Sequence, residues 1–169
     1  GDPNLALAYR EAVEALYAVA YKLKFMSKNE LGRDYAVMPL EGLWWAEDME
    51  HYTARRDKSA WDWTMMILTP EWITAEMVTQ AKAAAGEKKE LPALPKLRLE
   101  TLEEGLVAQI MHIGSYDEEA PTLARLHQEW LPAHGYVEHG KHHEIYLGDP
   151  RKVAPNKLKT ILRQPIRPI

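Results

Sequence analysis

This 169-residue sequence predicts an α+β fold of two strand-helix-strand-strand units, and three observations carry the prediction. Segments with helical apolar spacing alternate with short runs of β-branched and aromatic residues that end at Gly and Pro. Two pairs of segments repeat faintly: Thr64-Met-Met-Ile-Leu-Thr-Pro70 parallels Lys159-Thr-Ile-Leu-Arg-Gln-Pro165, and Gly1-Asp-Pro-Asn4 before a helix parallels Gly114-Ser-Tyr-Asp117 before a helix. The second half reads strand, helix, strand, strand, whereas the first reads helix, strand, strand. On this reading the first strand of the first copy is absent and the chain is N-terminally truncated.

Each element follows from local signals. The first helix is expected to open with Asp2 as N-cap and Pro3 at its first position, to turn Leu5, Tyr9, Ala12, Val13, Leu16, Ala20 and Leu23 inward, and to end near Lys28. A loop over 29–34 leads to extended pieces over 35–39 and 43–46, broken by Pro39 and Gly42. A polar loop over 47–59 precedes a strand at 61–68 that Thr69-Pro70 stops, and Thr74 caps a helix over 74–85. The second half supplies a strand at 105–113, a helix at 118–134, a strand at 142–147 and a last strand at 158–163. One domain is expected, with halves at about 1–86 and 97–169 and a linker at about 87–96.

Composition narrows the function. The longest apolar run, residues 15–21, is far short of the roughly 20 residues of a membrane span, and no basic start followed by an apolar stretch marks a signal peptide. A cytoplasmic protein is the expectation. With no cysteine, thiolate chemistry and Cys-type zinc sites are excluded. The net charge of −4 argues against general nucleic-acid affinity, and the basic C-terminal residues Arg151, Lys152, Lys157, Lys159, Arg163 and Arg167 read as a solvated sheet edge. Neither a Gly-rich phosphate loop nor a nucleophile elbow occurs, so no nucleotide cofactor is expected.

The segment Gly140-Lys-His-His-Glu-Ile-Tyr-Leu-Gly-Asp-Pro150 places a carboxylate in the middle of a strand. Alternation puts His142, Glu144 and Tyr146 on one face and His143, Ile145 and Leu147 on the other. With Ile145 and Leu147 toward the core, the Glu144 face becomes the floor of a site. Burial beside indoles would raise the Glu144 pKa and suit it to proton transfer. His142 and His143 point apart, so they do not share a metal, and none is expected. His112 leads into Gly114-Ser115-Tyr116, while His127, His134 and His139 read as surface or loop residues. Trp44, Trp45, Trp61 and Trp63 fall on two successive strands. Adjacent Trp44 and Trp45 must face opposite sides, and Trp61, Trp63 and Met65 share a face that can line a groove for a flat aromatic ligand.

With Pro39-Leu-Glu-Gly-Leu-Trp-Trp45, Trp63-Thr-Met-Met-Ile67, Gln109-Ile-Met-His-Ile-Gly-Ser-Tyr-Asp-Glu118, the segment around Glu144 and Leu158-Lys-Thr-Ile-Leu-Arg163, the chain resembles the GyrI-like small-molecule-binding proteins over nearly its whole length. The resemblance implies two pseudo-twofold-related units with a ligand cleft between them, and a Glu facing aromatic side chains. The Trp-Trp pair and the His-His-Glu-Ile-Tyr-Leu motif are most similar to a stand-alone branch, the cyclopropanoid cyclopropyl hydrolases, which open the cyclopropane of DNA-alkylating natural products. That implies Glu144 as general base, Tyr146 or His142 as donor to the dienone oxygen, and Trp44, Trp45 and Trp63 around flat rings, with Trp61, Met65, Tyr35 and His112 as further ligand-binding candidates. The partner implied is a planar aromatic small molecule. Two alternatives stand beside it: a non-catalytic binder of planar or cationic drugs, and a gyrase-interacting module.

Overall fold

In the computed structural model, residues 1–49, 52 and 55–169 are described. The strand built on His142 to Tyr146 sits mid-sheet because its neighbours bring long β-competent runs to either side. The sheet order is β2 (Asp62–Ile67), β1 (Leu40–Trp45), β5 (His142–Tyr146), β6 (Lys159–Pro168) and β3 (Val107–Ile113), with β4 (Tyr136–Glu138) paired to β6 off this path. β5 runs antiparallel to both neighbours, with Glu144 opposite Gly42 on β1 and Leu162 on β6. Helices complete the α+β architecture, among them α1 (Leu7–Leu31), α2 (Ala75–Lys88) and α3, which runs as Ala120–Ala124, passes through a π-helical stretch Arg125–Trp130 and closes as Leu131–Ala133.

The chain divides into two compact units. The first joins Gly1–Asp2, Pro39–Thr64 and Leu102–Ile169. Here β6 supplies the spine, with Thr160, Leu162, Gln164 and Ile166 buried at alternate positions as a two-residue period requires. Ala108 of β3, Leu126 and Leu131 of α3 and Ile166 form an apolar cluster. The π-helical stretch has a local cause: Pro132 lacks an N–H and its ring crowds the carbonyl one turn back, so the preceding turn widens. That widening falls at the turn carrying His127.

The second unit joins Pro3–Met38 and Met65–Thr101, where α1 and α2 pack through Val19, Leu23, Val78, Ala81 and Ala85, closed by Ile73 and Leu91. Alanines at the contact let the two backbones come close. Thr74 caps α2, accepting the Met77 N–H at 3.2 Å, as its sequence position predicts. α1 ends where Gly32 adopts φ 65 and the Arg33 N–H returns to the Ser27 carbonyl at 3.0 Å.

Several boundaries differ from expectation. α1 starts at Leu7 with Ala6 as N-cap, so Asp2 does not cap it, and Leu5 is exposed; the buried stripe is Ala15, Val19, Ala20, Leu23 and Ser27. The short apolar residues Ala12 and Val13 fit either side of that stripe, which is why periodicity alone misplaced it. Residues 35–39 form no strand, and Gly42 lies within β1 rather than breaking it. The expected polar loop over 47–59 falls partly on residues 50, 51, 53 and 54, which lie outside the described residues; Tyr52 within it is 1% exposed. β4 was not foreseen, being three residues long, and β6 runs on through Pro165 to Pro168. The two faces of β5 also differ from expectation: Leu147 is exposed, and His142, His143 and Glu144 are all buried.

Leu162 is wholly buried directly opposite Glu144. Leu162→Ala is expected to cost about 2–5 kcal/mol, read as a lower urea midpoint with an unchanged slope.

Candidate active site

A carboxylate inside a fold must be compensated by donors, and Glu144 is. It is 3% exposed. The Tyr52 hydroxyl donates to its Oε2 at 2.6 Å, and His142 Nε2 lies 3.0 Å from the same oxygen. The Tyr146 hydroxyl donates to Oε1 at 3.2 Å and itself accepts the Trp44 Nε1–H at 2.8 Å. Oε2 therefore has two close donors, and Oε1 has the longer bond from Tyr146. The sheet register explains the grouping, because Trp44 pairs with His142 and Gly42, which has no side chain, lies opposite Glu144.

Aromatic rings close around these bonds. Trp61 meets Trp44 edge-on at 5.6 Å, and Tyr52 lies 4.8 Å from Trp61 and 4.9 Å from the His142 ring. Tyr116 meets Tyr146 edge-on at 5.6 Å, and both are half-buried, so the Oε1 side is the wetter one. The Arg56 guanidinium lies 4.7 Å above Trp61, 5.3 Å above Tyr52 and 3.6 Å from Glu119 Oε2. Arg56 is a non-glycine residue at φ 53, a backbone strain of the kind that accumulates at functional sites.

Glu119, at the start of α3 and 2% exposed, is the second carboxyl here. Burial, the neighbouring Glu144 charge and a hydrogen bond with Glu144 push its pKa up to about 10, so it is a neutral acid at physiological pH. Its Oε1 finds no donor, which fits an acid whose partner is a carboxylate. For Glu144, burial acts to raise the pKa, but the hydrogen bonds from His142 and Tyr52 and the Arg56 charge outweigh it and hold the group below the usual carboxylate range. His142 is wholly buried, which lowers its pKa despite the Glu144 charge. Geometry and burial together give an anionic Glu144, a neutral Glu119 and a neutral His142 whose Nε2–H points at Glu144.

Glu144, His142, Tyr146, Trp44 and Trp61 thus come together in the first unit. Trp45 takes the opposite sheet face, where the Lys141 ammonium lies 3.6 Å from its ring centre. Trp63 is half-buried on β2. Tyr35 and Met65 belong to the second unit, where Tyr35 meets Trp72 edge-on at 6.1 Å. His112 is held by Ser115 O at 2.8 Å and Thr122 Oγ1 at 3.1 Å, a fastening for the start of α3. His127 is no surface residue: its side chain is 2% exposed and its Nδ1 meets Glu138. Tyr52, Glu119 and Arg56 were not foreseen. The run Asp117-Glu118-Glu119 reads as ordinary acidity at a helix start, and Tyr52 lies in a polar segment with no period.

A GyrI-like small molecule binding domain matches residues 2–167. The chain belongs to this family. A crystal structure of an uncharacterized conserved protein from Listeria innocua is 39% identical with TM-score 0.87, covering 99% of this chain and 83% of that one. A hydrolase from Listeria innocua is 38% identical with TM-score 0.80, and a hydrolase encoded by lin2189 from the same organism is 38% identical with TM-score 0.81; each covers 99% of this chain and 83% of its own. No curated protein matches.

On the sheet face opposite Glu144, buried His143 bridges Glu104 and Glu41 at 2.7 Å each. Burial alone would lower its pKa, but the two carboxylates outweigh that and raise it. A raised folded pKa contributes stability that is full below the unfolded value of 6.5 and lost as pH rises through the folded value. Glu119 acts in the same direction between its unfolded 4.5 and its folded value of about 10. The urea midpoint is therefore expected to fall as pH rises from 6.5 toward the folded Glu119 value of about 10. Glu119→Gln, neutral in both states, should flatten that slope; a midpoint that rises over this interval contradicts the charge assignment.

Proposed function

We propose that this GyrI-like protein is a hydrolase in which Glu144 takes a proton from a water molecule that opens the strained ring of a flat electrophile. The observation that carries the reading is the buried, ionised Glu144 with its Oε2 fixed by Tyr52 and His142 and its Oε1 met by the longer Tyr146 bond, beside half-buried tyrosines. Relatives 38% identical that are described as hydrolases support it.

The substrate class follows from the resemblance and from the walls. A cyclopropane fused to a dienone is flat, neutral and electrophilic, and Trp44, Trp61 and Tyr146 offer rigid ring surface. In the reaction the water oxygen bonds to a cyclopropane carbon while the ring C–C bond breaks. The bonding pair moves through the dienone to its oxygen, giving a phenolate that takes its proton from solvent, so that the whole reaction adds one water. One water proton goes to Glu144 and the other stays on the new hydroxyl. Tyr146 is the donor to the developing oxyanion: its one hydrogen turns from Glu144 Oε1 to that oxygen as the carboxylate takes up the water proton, and the Trp44 N–H on its oxygen makes it more acidic. Trp63 and Trp45 are not needed for this step.

A module that sequesters cationic drugs fits less well. The aromatic surface at Tyr52 and Trp61 already carries a cation, the Arg56 guanidinium. A neutral ligand is the better complement.

The deciding experiment incubates the protein with a cyclopropane-dienone alkylator of the duocarmycin type and follows it by mass spectrometry. Wild-type protein is expected to add one water, and Glu144→Gln to lower turnover by roughly 100-fold to 10,000-fold while still binding the compound. Unaltered compound that co-elutes with wild-type protein would make this a binding scaffold instead.

A further inference from the structure

Glu144 gains a proton in every turnover of the proposed reaction and must lose it before the next. Its neighbours restrict where that proton can go. Glu119 is already protonated, and Tyr52 and Tyr146 are phenols that meet Glu144 as donors. His142 is the neighbour with a second nitrogen, Nδ1, which is buried and has no partner. The His127 ring lies 5.5 Å from the His142 ring, and its Nε2 is also buried without a partner. The other nitrogen of His127, Nδ1, meets Glu138, whose side chain is 32% exposed. Two unsatisfied ring nitrogens, both in the interior and on rings whose centres lie 5.5 Å apart, call for a shared partner that one bridging water supplies, since a water needs at least two polar partners to be held in a fold. With His142 donating from Nε2 and His127 from Nδ1, both remaining nitrogens are acceptors and the two water hydrogens complete both.

We infer that one ordered water binds between His142 Nδ1 and His127 Nε2 and completes a proton path from Glu144 through both histidines to Glu138 at the surface. This rests on the hydrolase reading for its purpose but not for its geometry. Along the path each imidazole takes a proton on one nitrogen and releases another from the opposite nitrogen, so a charge never has to cross the interior as a free ion. The π-helical stretch Arg125–Trp130 is the device that carries His127 to this position, in keeping with the frequent use of π-bulges at functional sites. Glu138 is held below the usual carboxylate range, first by its hydrogen bond to His127, so the outer end of the path is an ionised acceptor.

Two experiments test this. A crystal structure of the wild-type protein at high resolution should contain water within hydrogen-bond distance of both nitrogens; a dry space there, or a protein group occupying it, overturns the inference whatever the activity proves to be. With the duocarmycin-type compound, His127→Phe and Glu138→Gln should keep the rate of the first turnover, for which Glu144 starts ionised, and lose roughly tenfold or more in the steady state. Added imidazole should restore much of that loss. First and later turnovers slowed equally, with no rescue in either variant, would assign His127 and Glu138 to packing. If wild-type protein turns over no compound, the hydrolase reading fails and the crystallographic water alone decides the site.

Discussion

One negative charge held away from water governs the arrangement of the first unit. An ionised carboxylate in an interior costs several kcal/mol unless donors replace its hydration. For Glu144 those donors come from separate stretches of chain: Tyr52 from the segment after β1, His142 and Tyr146 from the same strand, and Glu119 from the start of α3. None of them is placed by local propensity alone. The register that sets Gly42 and Leu162 beside Glu144 clears space on one side and packs it on the other. Loss of the Glu144 side chain would leave these donors facing one another without an acceptor.

That charge also settles the state of its neighbours. Two carboxyls that share a buried hydrogen bond cannot both ionise, so the one with fewer donors keeps its proton. Among the described residues, Glu119 has a guanidinium 3.6 Å from Oε2 and an unpartnered Oε1, while Glu144 has three hydroxyl or imidazole groups within 3.2 Å. The asymmetry in pKa follows from that asymmetry in geometry, and it makes one group a base and the other an acid. The adjacent residue His143 repeats the logic with the sign reversed, as a cation between two carboxylates on the other face. Three consecutive residues of β5 are therefore buried polar groups, each with its own compensation.

The amino-acid sequence disclosed the framework more readily than the site. Thr74 and α2, the strand at Asp62–Ile67 and the alternation of β5 follow from caps and two-residue periods, which are local properties. Glu144 stood out because a carboxylate amid strand formers conflicts with its surroundings, and conflicts of that kind mark function. Tyr52, Glu119 and Arg56 showed no such conflict. Each sits in a polar stretch where its residue type is unremarkable, and it gains meaning only from a contact 25 to 92 residues away along the chain. The orientation of β5 was misread for a related reason: Ile145 and Leu147 look like core residues, yet the burial goes to His142 and Glu144, because α3 and the aromatic rings cover that side.

The polar character of this interior is itself an argument. Among the described residues, the buried side-chain atoms without hydrogen-bond partners belong to Glu119, His127, His142, Thr160 and Gln164. All five residues lie in the first unit, whereas the second unit closes its core with Val, Leu, Ile and Ala. Unsatisfied polar groups destabilise a fold by about 1–3 kcal/mol each, so a cluster of them is not the outcome of packing for stability. Thr160, which lies opposite Tyr146, and Gln164 share the sheet face of Glu144. An interior designed for stability would have apolar residues at these positions. Under the proposed hydrolase reading, in which water is held beside a base and protons are moved away from it, these polar groups have a use that packing does not give them.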